Sequence, residues 1–495
     1  MISRPVERGV GRAMGTDGLV RRMTASWPLL VVSLLMLGGC ATRPINPPIA
    51  EVHPERGYRL ESRQAHVKDK SNLVVLAFSG GGTRAAAFSY GVLEFLRRTR
   101  IVGATGKEAR LLDQVDVISG VSGGSFTALA YGLYGDKLFS EYESRFLKRD
   151  VQGEITARFF SPRYWPNLWS SNWGRSELAA DLYDEILFNG ATFGDLDRSN
   201  GPLIMASATD ISTGARLVFD QDFFDLLCSD LDEVPLSRAA AASSAVPVVL
   251  SAVTLNNYGG SCNYAAPRWL QLLTGPTGPP RPAARAAREI DERLAFADGA
   301  HRPYIHLVDG GIADNVGMRS VLTVLELLEV LHRAGVPTRL DGVRRIIVFV
   351  VNSVSSPRTQ WDESESPPGI LDTLVKAAGV PIDHYSYEAM EVLKDKAARW
   401  QSLRRLRQSA AFANNTDPVI TDELKAPDID VYAVDVSFQA LDDKAEMDYL
   451  NELPTSFVLP AEAVDRLRAA AGSIILQSPE FQRLLKDAGA QVVSQ

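Results

Sequence analysis

The stretch VVLAFSGGGTRAAAFSYGVLEFL, Val74 to Leu96, runs an apolar strand into three consecutive glycines and then into a helix. Glycine gives up more backbone freedom on folding than any other residue, so three at one junction mean that the main chain itself is needed at close quarters. Two chemistries ask for this: a cradle for phosphate, or amides aimed at a developing oxyanion. A P-loop requires G-x-x-x-x-G-K-[ST]. Gly80-Gly81-Gly82-Thr83-Arg84 has no such lysine, and the G-x-G-x-x-G spacing of a dinucleotide site also fails. The oxyanion reading needs a nucleophile elsewhere in the chain.

That partner follows in VDVISGVSGGSFTALAYGLYG, Val115 to Gly135, which contains Gly120-Val121-Ser122-Gly123-Gly124. A G-x-S-x-G between a strand and a helix holds its serine on a strained turn with the hydroxyl exposed at the sheet edge. Gly120 and Gly124 leave room for strand and helix to approach, and the helix N-terminus favours negative charge at Ser122. A packing turn with an exposed serine is the plain alternative. A nucleophilic serine needs a base. Of the six histidines, His53 and His66 lie in the proline-rich tether, and nothing around His332 or His384 marks a base. His306 precedes Asp309 by three positions, which on a strand sets the two on opposite faces. Asp309, ending an apolar strand before Gly310 and Gly311, is therefore the candidate base. A solvated carboxylate titrates near ~4, so burial is needed to raise it. Asp314 is the fallback, with shaping of the loop beside Asn315 as its other reading.

The ordered triplet Gly80-Gly81-Gly82-Thr83-Arg84, Gly120-Val121-Ser122-Gly123-Gly124 and Asp309-Gly310-Gly311 resembles the patatin-like phospholipase family. SRAAAASSAVPVVLSAVTL, Ser237 to Leu255, and GATFGDL, Gly190 to Leu196, are also similar to segments of that family. The resemblance covers about Asn72 to Val351. It implies a three-layer α/β/α fold with a mainly parallel central sheet, and lipid acyl hydrolysis through a Ser122–Asp309 dyad without a catalytic histidine. It further implies an oxyanion loop at Gly80, Gly81 and Gly82, braced by Arg84, and no cofactor or metal. Transfer of the acyl group to another acceptor is the alternative within the same chemistry. A non-catalytic envelope lipoprotein with a vestigial site is the alternative outside it.

Outward from these motifs, strand and helix alternate from Leu73 onward, as in an α/β domain. Strands are expected at 73–78, 115–119, 203–209, 305–308, 345–351 and 430–436, and helices at 84–98, 125–134, 176–187, 237–243, 320–334 and 385–409. Residues 71–355 form the expected catalytic domain, and 356–495 an α/β extension packed on it. GPTGPPRPAARAARE, 275–289, reads as an exposed loop.

The first 40 residues differ. Arg21 and Arg22 precede WPLLVVSLLML, Trp27 to Leu37, and then Gly38-Gly39-Cys40. This is the pattern of a secretory signal, too short to span a bilayer, where roughly 20 apolar residues are needed. Residues 1–39 are thus expected to be a signal peptide; Leu37-Gly38-Gly39-Cys40 resembles a bacterial lipobox, which implies Cys40 as a lipidated N-terminus, a plain secretory signal with an incidental cysteine being the other reading. Residues 40–70 would be a tether; by resemblance to sorting in bacterial lipoproteins, Ala41 after the cysteine implies the outer membrane, facing the periplasm. A net charge of −8 makes nucleic acid a poor partner and gives the acidic body no general charge attraction to anionic lipid; membrane lipid is the partner that the family resemblance implies, with an acyl anchor at Cys40 holding the chain at the membrane. Cys228 and Cys262 would pair in an oxidising compartment, two buried thiols being the other reading. Finally, Phe159, Phe160, Tyr164, Trp165, Trp169 and Trp173 cluster in one stretch, fit either for an interfacial groove or for a cap on the sheet.

Overall fold

The computed structural model of the protein describes residues 42–64, 71–102, 108–170, 173–267, 270–271, 284–338, 340–489 and 491–492. Eleven strands are found among them: β1 (Asn72–Phe78), β2 (Thr99–Val102), β3 (Glu108–Arg110), β4 (Val115–Val121), β5 (Leu203–Asp210), β6 (Arg216–Val218), β7 (Val253–Asn256), β8 (Tyr304–Asp309), β9 (Arg345–Asn352), β10 (Asp430–Ser437) and β11 (Gln491–Val492). The helices that matter below are α1 (Gly82–Arg98), α2 (Gly123–Tyr134), α3 (Val151–Phe160), α4 (Arg175–Tyr183), α5 (Leu236–Ser243), α6 (Arg319–Arg333), α7 (Ile370–Gln408) and α8 (Ala461–Gln477).

The central sheet has the order β10-β9-β1-β4-β5-β8-β7, with β6 paired to β5. Its first five strands are mutually parallel. They read as continuous apolar runs because helices cover both faces, and NLVVLAF in β1 is almost wholly buried. The expected mainly parallel, three-layer α/β/α architecture is the one observed. Its far side departs from it: β8 is antiparallel to β5, and β7 to β8. The small sheet β11-β2-β3 lies apart from the main one.

All six expected strands exist, extended by a residue or two. The short β6 and β7 were not anticipated: three and four residues carry too little alternation to stand out. The helix expected from Ser176 to Leu187 is α4 followed by a π-helical turn at Asp184–Phe188. The helix expected from Tyr385 begins at Ile370 and runs through Pro381. Its stripe Met390, Leu393, Ala397 and Trp400 is core, as its spacing implies.

Residues 42–64, within the stretch expected as a tether, are laid down on the domain. The Asn46 amide nitrogen donates to Ser229 Oγ and to the Asn256 carbonyl, and the buried Tyr58 hydroxyl accepts the Ile204 amide. Arg59 pairs with Asp222 and Asp225. Cys228 and Cys262 form a disulfide, their Cα atoms 5.4 Å apart. Of the expected loop at 275–289, residues 275–283 lie outside the described set, and Ala284 opens a helix to Leu294 that buries Ala286, Ala287 and Ile290. The signal peptide, Cys40 and residues 65–70 also lie outside the described residues.

The C-terminal part completes the sheet. β10 and β9 form the edge opposite β8 and β7, and α8 packs along α1 so closely that a Cβ on Gly91 would sit 2.5 Å from the Arg468 carbonyl oxygen.

Candidate active site

Register brings the candidate residues together. β1 and β4 are parallel neighbours with Phe78 opposite Gly120, so the glycine loop and the serine turn leave the sheet side by side. On the other flank Val121 is level with Ser207 and Ala208 with Asp309. Ser122, one step beyond Val121, therefore emerges at the level of Asp309. The crevice lies outside the carboxyl ends of the parallel strands, the place where open α/β sheets put their sites. β8 reaches it from the opposite direction and stops there.

Ser122 has φ 47°, ψ −121°, a conformation that a non-glycine residue adopts only under constraint. The constraint is visible: its amide donates to Ser243 Oγ at 2.8 Å. The Ser122 hydroxyl donates to Asp309 Oδ2 at 2.8 Å. The other carboxylate oxygen, Oδ1, accepts the Gly311 amide at 2.8 Å. Ser122 and Asp309 are only 6% and 7% exposed. Burial pushes the Asp309 carboxyl up to about 6, against the downward pull of the Gly311 amide and the Ser122 hydroxyl. No cation sets this value, so the group is a stronger base than a solvated carboxylate and still ionised at neutral pH.

The three glycines divide. Gly80 donates its amide to the Asn315 carbonyl at 2.9 Å, which removes it from the donors expected for an oxyanion. The amides of Gly81 and Gly82 have no acceptor among the described residues. Gly81 and Gly82 have φ 139° and 60°, values that favour glycine. Gly123 meets them from the other side: a Cβ there would fall 2.0 Å from the Gly82 carbonyl oxygen. The N-termini of α1 and α2 thus converge above Ser122, and both leave amides unsatisfied and partially positive. No signal in the motif itself singles out Gly123 as a donor, since the close approach of Gly82 comes from a distant strand end.

Arg84 does brace the loop. Its Nε donates to the Ser353 carbonyl at 2.7 Å, and its terminal nitrogens to the Leu453 carbonyl at 2.6 Å and Thr455 Oγ1 at 3.1 Å. Burial lowers its value to about 10, and Asp383 opposes this. The glycine loop is thereby fastened to the C-terminal part, and Thr83 donates to the Ser456 carbonyl at 2.8 Å. Gly120 and Gly124 sit where α2 presses on β4 and β1: a Cβ on Gly124 would come within 2.6 Å of the Ser79 carbonyl oxygen. Gly310 donates to the Ser243 carbonyl at 3.0 Å and Asp309 to the Ala245 carbonyl at 3.0 Å. Asp314 faces away, accepting the Met318 and Arg319 amides, which leaves it the loop-shaping role. His306 is exposed and bonds Thr254 rather than the site.

Ser243, which touches both halves of the site, ends an alanine-rich helix inside the Ser237–Leu255 segment, where the resemblance does not mark it as a site residue. Among the described residues no cluster of His, Cys, Asp or Glu could hold a metal, and no helix is long and apolar enough to cross a membrane.

A buried serine on a strained strand-to-helix turn, a neighbouring carboxylate and bare amides define a site suited to acyl chemistry. Residues 76–322 match the patatin-like phospholipase family, and the domain they form belongs to it. No curated protein matches the sequence significantly. Among solved structures, the chain is similar to human GIVD cytosolic phospholipase A2 in complex with methyl γ-linolenyl fluorophosphonate, at 14% identity and TM-score 0.40, over 87% of this chain and 62% of that one. It is also similar to human GIVD cytosolic phospholipase A2 in another structure, at 15% identity and TM-score 0.36, over 89% and 67%.

Proposed function

We propose that this protein is a lipid acyl hydrolase that works through an acyl-enzyme on Ser122, with Asp309 as its base. The Ser122 oxygen attacks an ester carbonyl carbon as its proton passes to Asp309. The C–O bond to the alcohol breaks, and the alcohol leaves with that proton. Water then attacks the acyl-serine, giving up a proton to Asp309, and the fatty acid and free serine are restored. The tetrahedral oxyanion lies against the Gly81, Gly82 and Gly123 amides, where each donor is worth about 2.7–4 kcal/mol of barrier. Gly80 and Arg84 hold that loop in shape.

The observation that carries this reading is the 2.8 Å hydrogen bond from Ser122 Oγ to a buried carboxylate whose basicity is raised. Family membership supports lipid esters as the substrate class. The Cys228–Cys262 bridge supports a place in an oxidising compartment. With the signal pattern and Cys40 it supports the reading of a lipid-anchored envelope protein, on the outer membrane and facing the periplasm.

The test is release of fatty acid from phospholipid vesicles and of alcohol from a soluble acyl ester. Ser122→Ala and Asp309→Asn should each lower turnover about 10⁴-fold, the scale of losing one member of a serine–base pair, while the melting profile stays cooperative. Retained turnover in either folded variant removes that residue from the mechanism.

A further inference from the structure

Beside the antiparallel pair β7–β8 lies a hollow of about 950 Å³ whose lining includes neither Ser122 nor Asp309. The pair buries Val253, Leu255, Ile305 and Leu307 on one face. Strand alternation turns Thr254, Asn256, Tyr304 and His306 to the other, where they form one wall. The facing wall is the end of α3 with Trp165, Leu168 and Trp169 beyond it. Phe160 and Trp169 are 67% and 65% exposed, Phe159 and Trp165 are also exposed, and the Trp165 and Trp169 rings stack at 6.4 Å. Trp173, by contrast, is buried. A cap on the sheet would bury these rings. Large aromatics gathered on one exposed patch mark a docking surface.

Two observations choose the occupant. The described chain starts at Thr42, and Thr42, Arg43 and Ile45 line this same hollow. Thr42 stands two positions after Cys40, the expected lipidated N-terminus. The second is charge. Glu177 in the wall is held by the buried Arg238 at 3.1 Å. Arg43 and Arg175, which line the hollow, and the exposed Arg163 beside Tyr164 have no carboxylate partner within salt-bridge distance among the described residues. The local excess is positive on a chain whose net charge is −8.

We propose that this face docks on a lipid bilayer bearing anionic headgroups. Phe159, Phe160, Trp165 and Trp169 lie at the boundary between headgroups and acyl chains, with the arginines on phosphates. Exposed Val248 and Val249 extend it toward the candidate active site: Ala245 holds the Asp309 amide, and Ser251 lines the hollow. The six residue steps from Ala245 to Ser251 span at most about 20 Å. Docking does not depend on the hydrolase reading, but it would bring the bilayer close to that site.

The test uses the full chain carrying Ser122→Ala, so that no lipid is consumed. The vesicles are phosphatidylcholine with phosphatidylglycerol, their acyl chains brominated, and tryptophan emission is read. The emission removed by Trp165→Phe with Trp169→Phe should be the emission that bromine quenches. Trp400→Phe, in the core, should leave the quenched emission as in the parent. Equal quenching in the parent and the double variant overturns the proposal, even if the chain binds through its leader. Aqueous iodide gives a second reading: it should reach Trp165 and Trp169 in free protein and lose access on adding vesicles. Access unchanged by vesicles, or lost with rising protein concentration alone, assigns the face to solvent or to a second copy and overturns it as well. Equal bromine quenching on vesicles of phosphatidylcholine alone overturns the anionic headgroup.

Discussion

Ser243 accepts the Ser122 amide on its hydroxyl at 2.8 Å, while its carbonyl accepts the Gly310 amide at 3.0 Å. One residue at the end of α5 thus fixes both the turn that carries Ser122 and the loop that follows Asp309. Ser243→Ala would leave a buried amide without an acceptor, a loss of about 1–3 kcal/mol. The expected outcome is a lower melting temperature and an acylation rate reduced about tenfold or more, read with a fluorophosphonate. An unchanged rate would mean that Ser122 holds its geometry without this bond.

The raised Asp309 carboxyl predicts two opposite pH dependences. Activity requires the carboxylate, so the acid limb of kcat/KM should rise through about 6. Stability runs the other way. An aspartate whose native value lies above its ordinary 3.8 contributes stability fully present below that value and lost as pH rises through about 6. At neutral pH the loss is about 3 kcal/mol. Asp309→Asn should remove activity and, in urea titrations at pH 4 and pH 7, flatten that part of the stability profile. A variant less stable than the parent at pH 7 would contradict this.

Arg84 predicts that the C-terminal part belongs to the site. Lysine offers one ammonium where the guanidinium serves three acceptors in different directions, so Arg84→Lys should behave as a loss. Turnover should fall at least tenfold, and protease cleavage near Leu453–Ser456 should appear. A chain ending at residue 355 should not yield a soluble enzyme, because β10 and α8 cover β9 and α1.

The Cys228–Cys262 bridge closes a loop of 34 residues, for which chain entropy gives about 4 kcal/mol. Reduction should lower the urea midpoint. It should also expose residues 42–64 to protease, since the Ile49 amide is held by the Cys228 carbonyl at 2.9 Å. A midpoint indifferent to reductant would show the bridge to be dispensable.

Much of this was legible in the sequence because local pattern and local structure coincide there. β1 and β4 are uninterrupted apolar runs, each followed by glycines and a small-residue helix. That context let Ser122 stand out from 495 residues. Asp309 stood out by elimination of the histidines and by the two glycines after it. What stayed hidden depends on distant contacts. Gly80 loses its free amide to Asn315, and Gly82 lies against Ser456, 374 positions away (456 − 82). β8 arrives antiparallel, which its own six residues do not reveal. Residues 42–64 read as a tether because proline and charge dominate them, yet Asn46, Tyr58 and Arg59 each find a specific partner.

The central claim is that the Ser122 oxygen is the nucleophile and that the Asp309 carboxylate activates it. The most direct measurement is mass-spectrometric mapping of a fluorophosphonate adduct on the full chain, with its rate followed from pH 4 to pH 8. A single phosphonylated peptide containing Ser122, formed at a rate that climbs through about pH 6 and is lost in Asp309→Asn, is the predicted result. An adduct on another residue, or labelling of Ser122 at the parental rate in Asp309→Asn, would contradict it.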